Sequence, residues 1–344
     1  MIEIDGSYHE GGGQILRTAL ALSAITQKPF KITNIRTNRP EPGLKAQHLC
    51  GIKALEQLCN AKASGTYIGS QEVEFMPGEI KGGTIDIDIG TAGSITLLLQ
   101  TILLPCIFAK KSVKLKIIGG TDVHFSPSFD YFTNILLPHI QKYAKIDVQL
   151  EKRGFYPKGG GIINMRITPE KLIEQKLITL MDRKNLLSIQ ISSLASKDIE
   201  GAEVAIRQAR SAQSLLNKYK VPIQISADYC NSLSTGSIIT LIANFGDDEI
   251  NMQNPIRLGF DTIGERGVSS EHIGQKAAEG LILQISSKAC VDRFLADQLL
   301  PFLALFKGKI YASEITPHVF ANIYTIEKFL DVKFKVENNI IQAD

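Results

Sequence analysis

Cysteine is scarce and dispersed: Cys50, Cys59, Cys106, Cys230 and Cys290 are odd in number and never closer than nine residues. Such spacing supports neither a disulfide framework nor a cysteine-based zinc site, and it suits a reducing cytoplasm. Long apolar runs are lacking too. The longest, Ile95–Ala109, is interrupted by Gln100 and Pro105, and as a helix it would reach only about 22 Å against a hydrocarbon core of about 30 Å. No membrane span is expected. The first residues carry Asp5, Glu10 and Arg17 without an apolar signal core, so secretion is not expected either. Low-complexity tracts are missing, and 44% of the residues are hydrophobic, which excludes wholesale disorder. The six histidines form no H-x-x-x-H or H-E-x-x-H pattern, so a histidine metal cage is unsupported.

A net charge of +3 is too small for bulk nucleic-acid binding. Its distribution is uneven, however. Lys31, Arg36, Arg39, Lys45 and Lys53 face only Glu41 between positions 31 and 53, a surplus of +4. That stretch is either a solvated face or a site for a phosphorylated ligand.

With 344 residues the chain has room for two or three compact units, and it repeats itself. Ile2–Asp5 reads as an alternating strand, Gly11–Gly13 as a turn, Gln14–Ile25 as a helix and Phe30–Ile35 as a strand. A proline-containing loop, a helix to Leu58 and two strands near 61–67 and 72–76 close the unit. From Ile85 the same order returns: strand, glycine turn, helix Ser94–Phe108, strand Val113–Ile118, loop, helix Phe129–Tyr143 and two strands. Equivalent points of the first two strands lie 29 residues apart in both units, 2 to 31 and 85 to 114. The pattern is a β-α-β-α-β-β repeat. A third copy continues through a helix Cys290–Phe306, a strand Lys309–Ser313, a helix His318–Leu330 and a strand Val332–Val336. The fold class is therefore α/β (α+β). Three repeats form a main domain over 1–181 and 279–344, and a small α/β domain over 182–278 is inserted in the third repeat.

Equivalent strand-to-helix loops carry Arg36 and Arg39 in the first copy, Asp122 and His124 in the second, and Thr316 and His318 in the third. They are either ordinary surface loops or the walls of one cleft. Glu10-Gly-Gly-Gly-Gln14 precedes a helix, where successive backbone N–H groups could face an anion; a plain tight turn is the alternative. It is neither a Walker A loop nor a Rossmann fingerprint, since both lack their spacing here. Arg36 and Arg39 sit in a loop stiffened by Pro40 and Pro42, and guanidinium groups grip phosphates through paired bonds. Gly154-Phe-Tyr-Pro-Lys-Gly-Gly-Gly161 reads as a hairpin with close backbone approach. His318 follows Thr316-Pro317 at a helix start, and a neutral imidazole can attack phosphorus.

Taken together and in order, Glu10-Gly-Gly-Gly-Gln-Ile-Leu-Arg17, Arg36-x-x-Arg39-x-x-Pro-Gly-Leu44, Gly119-Gly-Thr-Asp122, Gly154-Phe-Tyr-Pro-x-Gly-Gly-Gly161 and Leu295-Ala-Asp-Gln298 strongly resemble the RNA 3′-terminal phosphate cyclases. The likeness covers the whole chain. It implies ATP-dependent conversion of an RNA 3′-terminal phosphate to a 2′,3′-cyclic phosphodiester through histidine–AMP and RNA–adenylate intermediates. It further implies His318 as nucleophile. ATP is expected against Gln100, Pro127 and the segment Phe294, Leu295, Ala296, Asp297 and Gln298, with Phe294 stacking on adenine. Glu10 is the expected contact for Mg²⁺ or Mn²⁺, and Arg17, Arg36, Arg39 and Gln47 are expected at the RNA phosphate. Partners implied are ATP and RNA with a 3′-terminal phosphate, with no membrane and no obligate protein partner. Two other readings stay open: a catalytically inactive relative acting in RNA processing or ribosome biogenesis, and an enolpyruvyl transferase.

Overall fold

The computed structural model describes residues 1–170, 177–251 and 254–344. Its first sheet is built from β1 (Ile2–Asp5), β2 (Phe30–Thr33), β3 (Lys62–Ser64) and β4 (Val73–Met76). Helix α1 (Gln14–Thr26) joins β1 to β2, and α2 (Ala46–Cys59) joins β2 to β3. Both helices stop at a residue in the left-handed region, Gln27 and Asn60, which ends a helix by turning the chain out of its path.

The second sheet holds β5 (Gly83–Asp88), β6 (Val113–Gly119), β7 (Ala144–Lys152) and β8 (Gly161–Pro169). Helix α3 (Ile95–Ile107) lies between β5 and β6 and is almost wholly buried. Ser94 caps it, its hydroxyl accepting from Leu97 N at 3.2 Å. The helix expected over 129–143 is divided. A short α4 (Phe129–Tyr131) runs into a π-helical turn, Phe132–Leu136, and then α5 (Leu137–Ile140). Pro138 lies in the first turn of α5. Lacking an N–H, it cannot continue the i→i−4 ladder, and the wider turn absorbs the fault.

The third sheet begins with β9 (Ile178–Leu180). The chain then leaves for β10 (Asn185–Ser196), α6 (Val204–Leu216), β11 (Ile223–Cys230), β12 (Ser237–Gly246), β13 (Ile256–Ile263) and α7 (Ser270–Ser286). It returns through α8 (Arg293–Gln298), α9 (Leu300–Phe306), β14 (Gly308–Tyr311), α10 (Pro317–Phe329), β15 (Phe334–Glu337) and β16 (Ile340–Ala343). Here too an expected single helix is split, with Pro301 in the first turn of α9.

The sheets run β1-β2-β4-β3, β5-β6-β8-β7 and β9-β14-β16-β15, so three of the four sheets among the described residues share one strand order. The pairing senses agree as well. The first two strands are parallel in each, and the remaining neighbours are antiparallel. The fourth sheet, β11-β10-β12-β13, lies wholly within the excursion between β9 and α8.

Two hydrophobic clusters correspond to this layout. The larger takes residues from all three like-ordered sheets and their helices. The second joins Ile189, Ile191, Leu241 and Phe245 to Ala209, Leu216, Ala277, Leu281 and Ile285. Helix α7 thus packs on the fourth sheet through Ile285, past residue 278. Polar contacts tie the two parts together next to α4: Ser128 N donates to Asp261 Oδ2 at 2.9 Å, and Gly259 N donates to Asp292 Oδ2 at 2.9 Å.

The glycine-rich segment 154–161 does join an antiparallel pair, β7 and β8. A Cβ on Gly154 would lie 2.3 Å from Gly161 N, so only hydrogen fits there.

Candidate active site

Three loops converge on a cavity of about 890 Å³. From the β1–α1 turn come Glu10, Gly12 and Gly13; from the β2–α2 loop Arg36, Arg39 and Lys45; from the start of α10 Thr316, Pro317 and His318. The side of α8 supplies Arg293, Phe294, Asp297 and Gln298, and the loop before α4 supplies Phe125, Ser126 and Pro127.

His318 occupies the first turn of α10, one residue after Pro317. Proline suits that position because its missing N–H would have no helical partner there. The imidazole Nε2 stands 3.2 Å from Glu10 Oε2, and Arg39 Nη2 stands 3.2 Å from the same oxygen. The backbone around His318 is held from below. Gln14 Nε2 donates to His318 O at 3.1 Å and to Asp297 Oδ2 at 3.0 Å. Thr18 Oγ1 donates to Asn322 Oδ1 at 2.7 Å, and Asn322 Nδ2 donates to Asp297 O at 2.9 Å. These bonds lock α1, α8 and α10 into one frame.

Burial lowers the pKa of His318. Glu10 opposes the shift, while Arg17, Arg39 and Arg293 add to it. The imidazole is therefore neutral at ordinary pH, with a lone pair available on one nitrogen. The carboxyl groups respond in the opposite direction. Burial pushes Asp297 up to about 7 against the pull of Arg17 and Gln14, and pushes Asp261 up to about 6. Arg17 is driven down to about 10 by burial and stays charged. Five cationic side chains and four carboxylic groups line the cavity, and with two of the acids partly protonated the balance favours an anion.

A polar chain runs across the floor. Arg17 Nε donates to Gln100 Oε1 at 3.1 Å, Gln100 Nε2 to Gln298 Oε1 at 3.2 Å, and Gln298 Nε2 to Phe294 O at 2.7 Å. Gln47 Oε1 accepts from Ser94 N at 2.8 Å, linking the first loop to the start of α3. Arg36 is turned partly inward, with Nη1 donating to Glu41 O at 2.8 Å and Gly43 O at 2.9 Å. Gly13 leaves room for its neighbours, since a Cβ there would sit 2.4 Å from His48 Nε2 and 3.2 Å from Arg17 Nη1. His48 is buried and pushed down to about 3 by that burial. Its Nδ1 accepts from Lys45 N at 3.0 Å, so it braces the loop as a neutral ring.

The matching sequences now decide the family. A sequence model described as RNA 3′-terminal phosphate cyclase matches residues 8–336. A protein of Pyrococcus furiosus with that name is 46% identical over 341 residues, covering 99% of this chain and 96% of the relative. Namesakes from Archaeoglobus fulgidus and Saccharolobus islandicus are 42% and 44% identical, covering 99% and 98% of this chain and 99% and 96% of their own lengths. This chain belongs to the RNA 3′-terminal phosphate cyclase family.

In this cyclase-family chain, Glu10, Arg17, Arg36, Arg39, Gln47, Gln100, Pro127, Phe294, Asp297, Gln298 and His318 all line the one cavity. Leu295 and Ala296 do not. Both are fully buried in the main core, so only their backbone is left to meet a ligand. Residues 294, 297 and 298 share a helix face at i, i+3 and i+4 spacing while 295 and 296 point away, a signal the motif itself carried. Of the second copy's loop, Asp122 is turned inward: Arg153 Nη1 lies 3.2 and 3.1 Å from its two oxygens. Its place at the cavity is taken by Phe125, Ser126 and Pro127. Asp261, Arg293 and Glu314 are lining residues that the motifs did not indicate. Arg293 precedes the recognised Phe294 and was findable by adjacency. Asp261 comes from β13 of the fourth sheet, and no local pattern could have placed it here.

Among the described residues no group of three or more His, Cys, Asp or Glu side chains is placed to hold a metal ion. Glu10 offers one carboxylate beside His318. Mg²⁺ commonly takes one or two protein carboxylates and completes its shell with phosphate oxygens and water. This donor set fits a divalent ion that arrives with a triphosphate.

Proposed function

We propose that this chain is an ATP-dependent RNA 3′-terminal phosphate cyclase working through a covalent adenylate on His318. The observation that carries the reading is a neutral imidazole at the wall of an anion-favouring cavity, in a chain of this family. Nε2 faces Glu10 Oε2 at 3.2 Å, so its lone pair becomes the nucleophile once the ring proton sits on Nδ1 and Glu10 has turned to a divalent ion that comes with the triphosphate. Nε2 then forms an N–P bond to the α-phosphorus of ATP as the P–O bond to pyrophosphate breaks. An oxygen of the RNA 3′-phosphate then takes the adenylyl group from the histidine. Finally the adjacent 2′-hydroxyl attacks the activated phosphorus, closing the ring, and AMP leaves. Adenylation creates the leaving group that a terminal phosphate lacks, and the covalent stage divides one hard transfer into two.

The protein's part is placement. Phe294 offers an aromatic face for adenine, with Pro127 across the cavity. Thr316 Oγ1 is buried at the cavity wall without a hydrogen-bond partner among the described residues, available to a phosphate oxygen. Glu10 would hold Mg²⁺ or Mn²⁺, which when bound offsets triphosphate charge. Arg17 and Arg39 face the RNA phosphate, with Arg36 and Gln47 holding their loops. The body that does this spans 1–181 and 279–344 in our reading, with the fourth-sheet unit inserted; α7 packs with that unit as far as Ile285. No helix among the described residues is long and apolar enough to cross a membrane. The presence of His318 favours this reading over an inactive relative, and the nucleotide-sized cavity favours it over an enolpyruvyl transferase.

The test is incubation with ATP and a 3′-phosphorylated oligoribonucleotide. The terminal phosphate should become resistant to phosphatase, with AMP and pyrophosphate released in equal amounts. An end that stays phosphatase-sensitive, with no protein-bound AMP, would sink the proposal.

Arg39 and Arg36 separate in this scheme. Arg39→Ala should spare protein adenylation within a few-fold but cut transfer to RNA by 100-fold or more, on the order of 3 kcal/mol for a lost charge-assisted phosphate contact. Lysine at 39 should rescue only partly, since it lacks the planar fork. Arg36→Ala should additionally lower thermal stability, because two loop carbonyls lose their donor. Stopped-flow transfer rates and a melting curve read both outcomes.

A further inference from the structure

Beside the cavity, outside its lining, four rings stand in two stacked pairs. Tyr8 stacks on Tyr324 with centroids 4.1 Å apart and planes at 19°, and His9 stacks on Phe320 at 5.5 Å and 23°. Tyr8 and Phe320 are 41% and 40% exposed, and His9 is exposed as well. Three large ring side chains open to water in one place form a patch that calls for an occupant.

The patch has direction. Phe320, Tyr324 and Lys328 follow each other at i, i+4 and i+8 on α10, so they form one stripe. It begins two residues after His318. Tyr324 lies about 9 Å along the helix axis from His318, and Lys328 about 15 Å. Lys328 Nζ sits 5.4 Å from the Tyr324 ring centre, putting a cation at the far end. At the near end His9 directly precedes Glu10, whose carboxylate contacts both His318 and Arg39. His9 takes φ 54°, a left-handed conformation uncommon for a residue with a side chain, and this turn lays its ring along Phe320.

We propose that Tyr8, His9, Phe320 and Tyr324 form a stacking track for the bases of single-stranded RNA immediately 5′ of the phosphorylated end. The inference rests on the reading of the cavity as the site of a 3′-phosphate. A strand whose last phosphate lies among Arg17 and Arg39 must leave the cavity, and this stripe is continuous with its edge. Its length accommodates about two to three stacked nucleotides at ~3.4 Å each. Aromatic faces take any base, so the track selects unpaired strands without selecting sequence. Lys328 at the far end, and Arg39 beyond Glu10 at the near end, suit a chain of phosphates. A protein partner would find no such reason to be continuous with the anion site.

The test compares the full-length protein with Phe320→Leu, Phe320→Trp and a His9→Ala/Phe320→Leu double variant. The substrates are a 3′-phosphorylated decaribonucleotide and the same strand made abasic at the three positions before its last nucleotide. The double variant should raise KM for the decamer about tenfold with kcat unchanged, keep self-adenylation by ATP alone, and show less than a twofold change on the abasic strand. Tryptophan at 320 should restore the wild-type KM, while leucine at 320 keeps the fold by preserving apolar volume. An unchanged KM for the decamer, or an equal loss on both strands, overturns the track. Quenching of 2-aminopurine placed second from the 3′ end reads stacking without turnover. Strong quenching by the wild type and loss of it in the double variant support the track even if no cyclic end forms. In that event the proposed activity fails while the track stands; no quenching overturns the track whatever the activity.

Discussion

His318→Ala eliminates protein-bound AMP while the protein remains folded: this is the first expected result. The side chain is 40% exposed, and among the described residues its polar contact is Glu10. The core of α10 is made by Val319, Ala321, Ile326 and Phe329, none of which the substitution touches. A loss of about 1 kcal/mol or less in stability is expected for a partly exposed residue of this kind. The chemical loss is total by comparison, because the other nitrogen nucleophiles that line the cavity are held elsewhere: Lys45 pairs with Glu41. His48, the other histidine lining the cavity, is fully engaged behind Gly13. Incubation with α-labelled ATP, acid treatment and peptide mapping provide the measurement. A variant that still carries acid-labile AMP would remove His318 from the mechanism.

The acid side of the wild-type profile follows from the same geometry. Burial holds the pKa of His318 below its ordinary 6.5, with Arg17, Arg39 and Arg293 adding to the effect and Glu10 opposing it. The neutral ring, which is the nucleophile, therefore persists as pH falls through the usual histidine range. Protein adenylation should therefore persist to lower pH than an unshifted histidine would allow, and fall as the pH drops through the lowered pKa.

The second large effect concerns the substrate. An oligonucleotide ending in a 2′-deoxy sugar with a 3′-phosphate should be adenylated but yield no cyclic product. Ring closure relies on the substrate's own hydroxyl, held next to the activated phosphorus by the ribose. Effective molarities of about 10⁵ M or more are typical of well-oriented intramolecular attack, and water cannot match them. The adenylated strand should thus accumulate, with cyclisation falling below detection. Ordinary 3′-phosphorylated RNA should pass through the same species too quickly for it to build up. A 3′-hydroxyl end should stay inert, having no phosphate to activate. Following a radiolabelled deoxy-ended strand with ATP on a denaturing gel decides the matter. If His318 labels normally and no adenylated strand forms at any time, stepwise activation as drawn here is wrong.

Much of the fold was legible along the chain. The alternation of Ile2–Asp5 and the apolar spacing of Gln14–Ile25 led to a strand and a helix where β1 and α1 stand. The same holds for α3 and β6. Errors gathered where local pattern gives way to context. Apolar spacing predicts unbroken helices over 129–143 and 290–306, but Pro138 and Pro301 lie inside them, and there the structure breaks or widens them. Strand β9 has three residues and β16 four, too few for periodicity to register, and each exists because a sheet supplies hydrogen-bond partners. Strand β13 and helix α7 fall in a segment that fits no repeat, so the period does not announce them.

For the site, the sequence alone determined the chemistry at hand: the glycine turn after Glu10, the paired arginines at 36 and 39, and the histidine opening a helix after Thr316-Pro317. These are properties of short segments, set by backbone freedom and side-chain type. Tertiary structure decided what those groups do to one another. It brought Glu10 to His318 from opposite ends of the chain, turned Asp122 inward to Arg153 and faced Asp261 of the fourth sheet into the cavity. It also buried Leu295 and Ala296 beside the exposed face of Phe294. Burial and distance exist only once the sheets have packed, and they are what lower the pKa of His318 and raise that of Asp297.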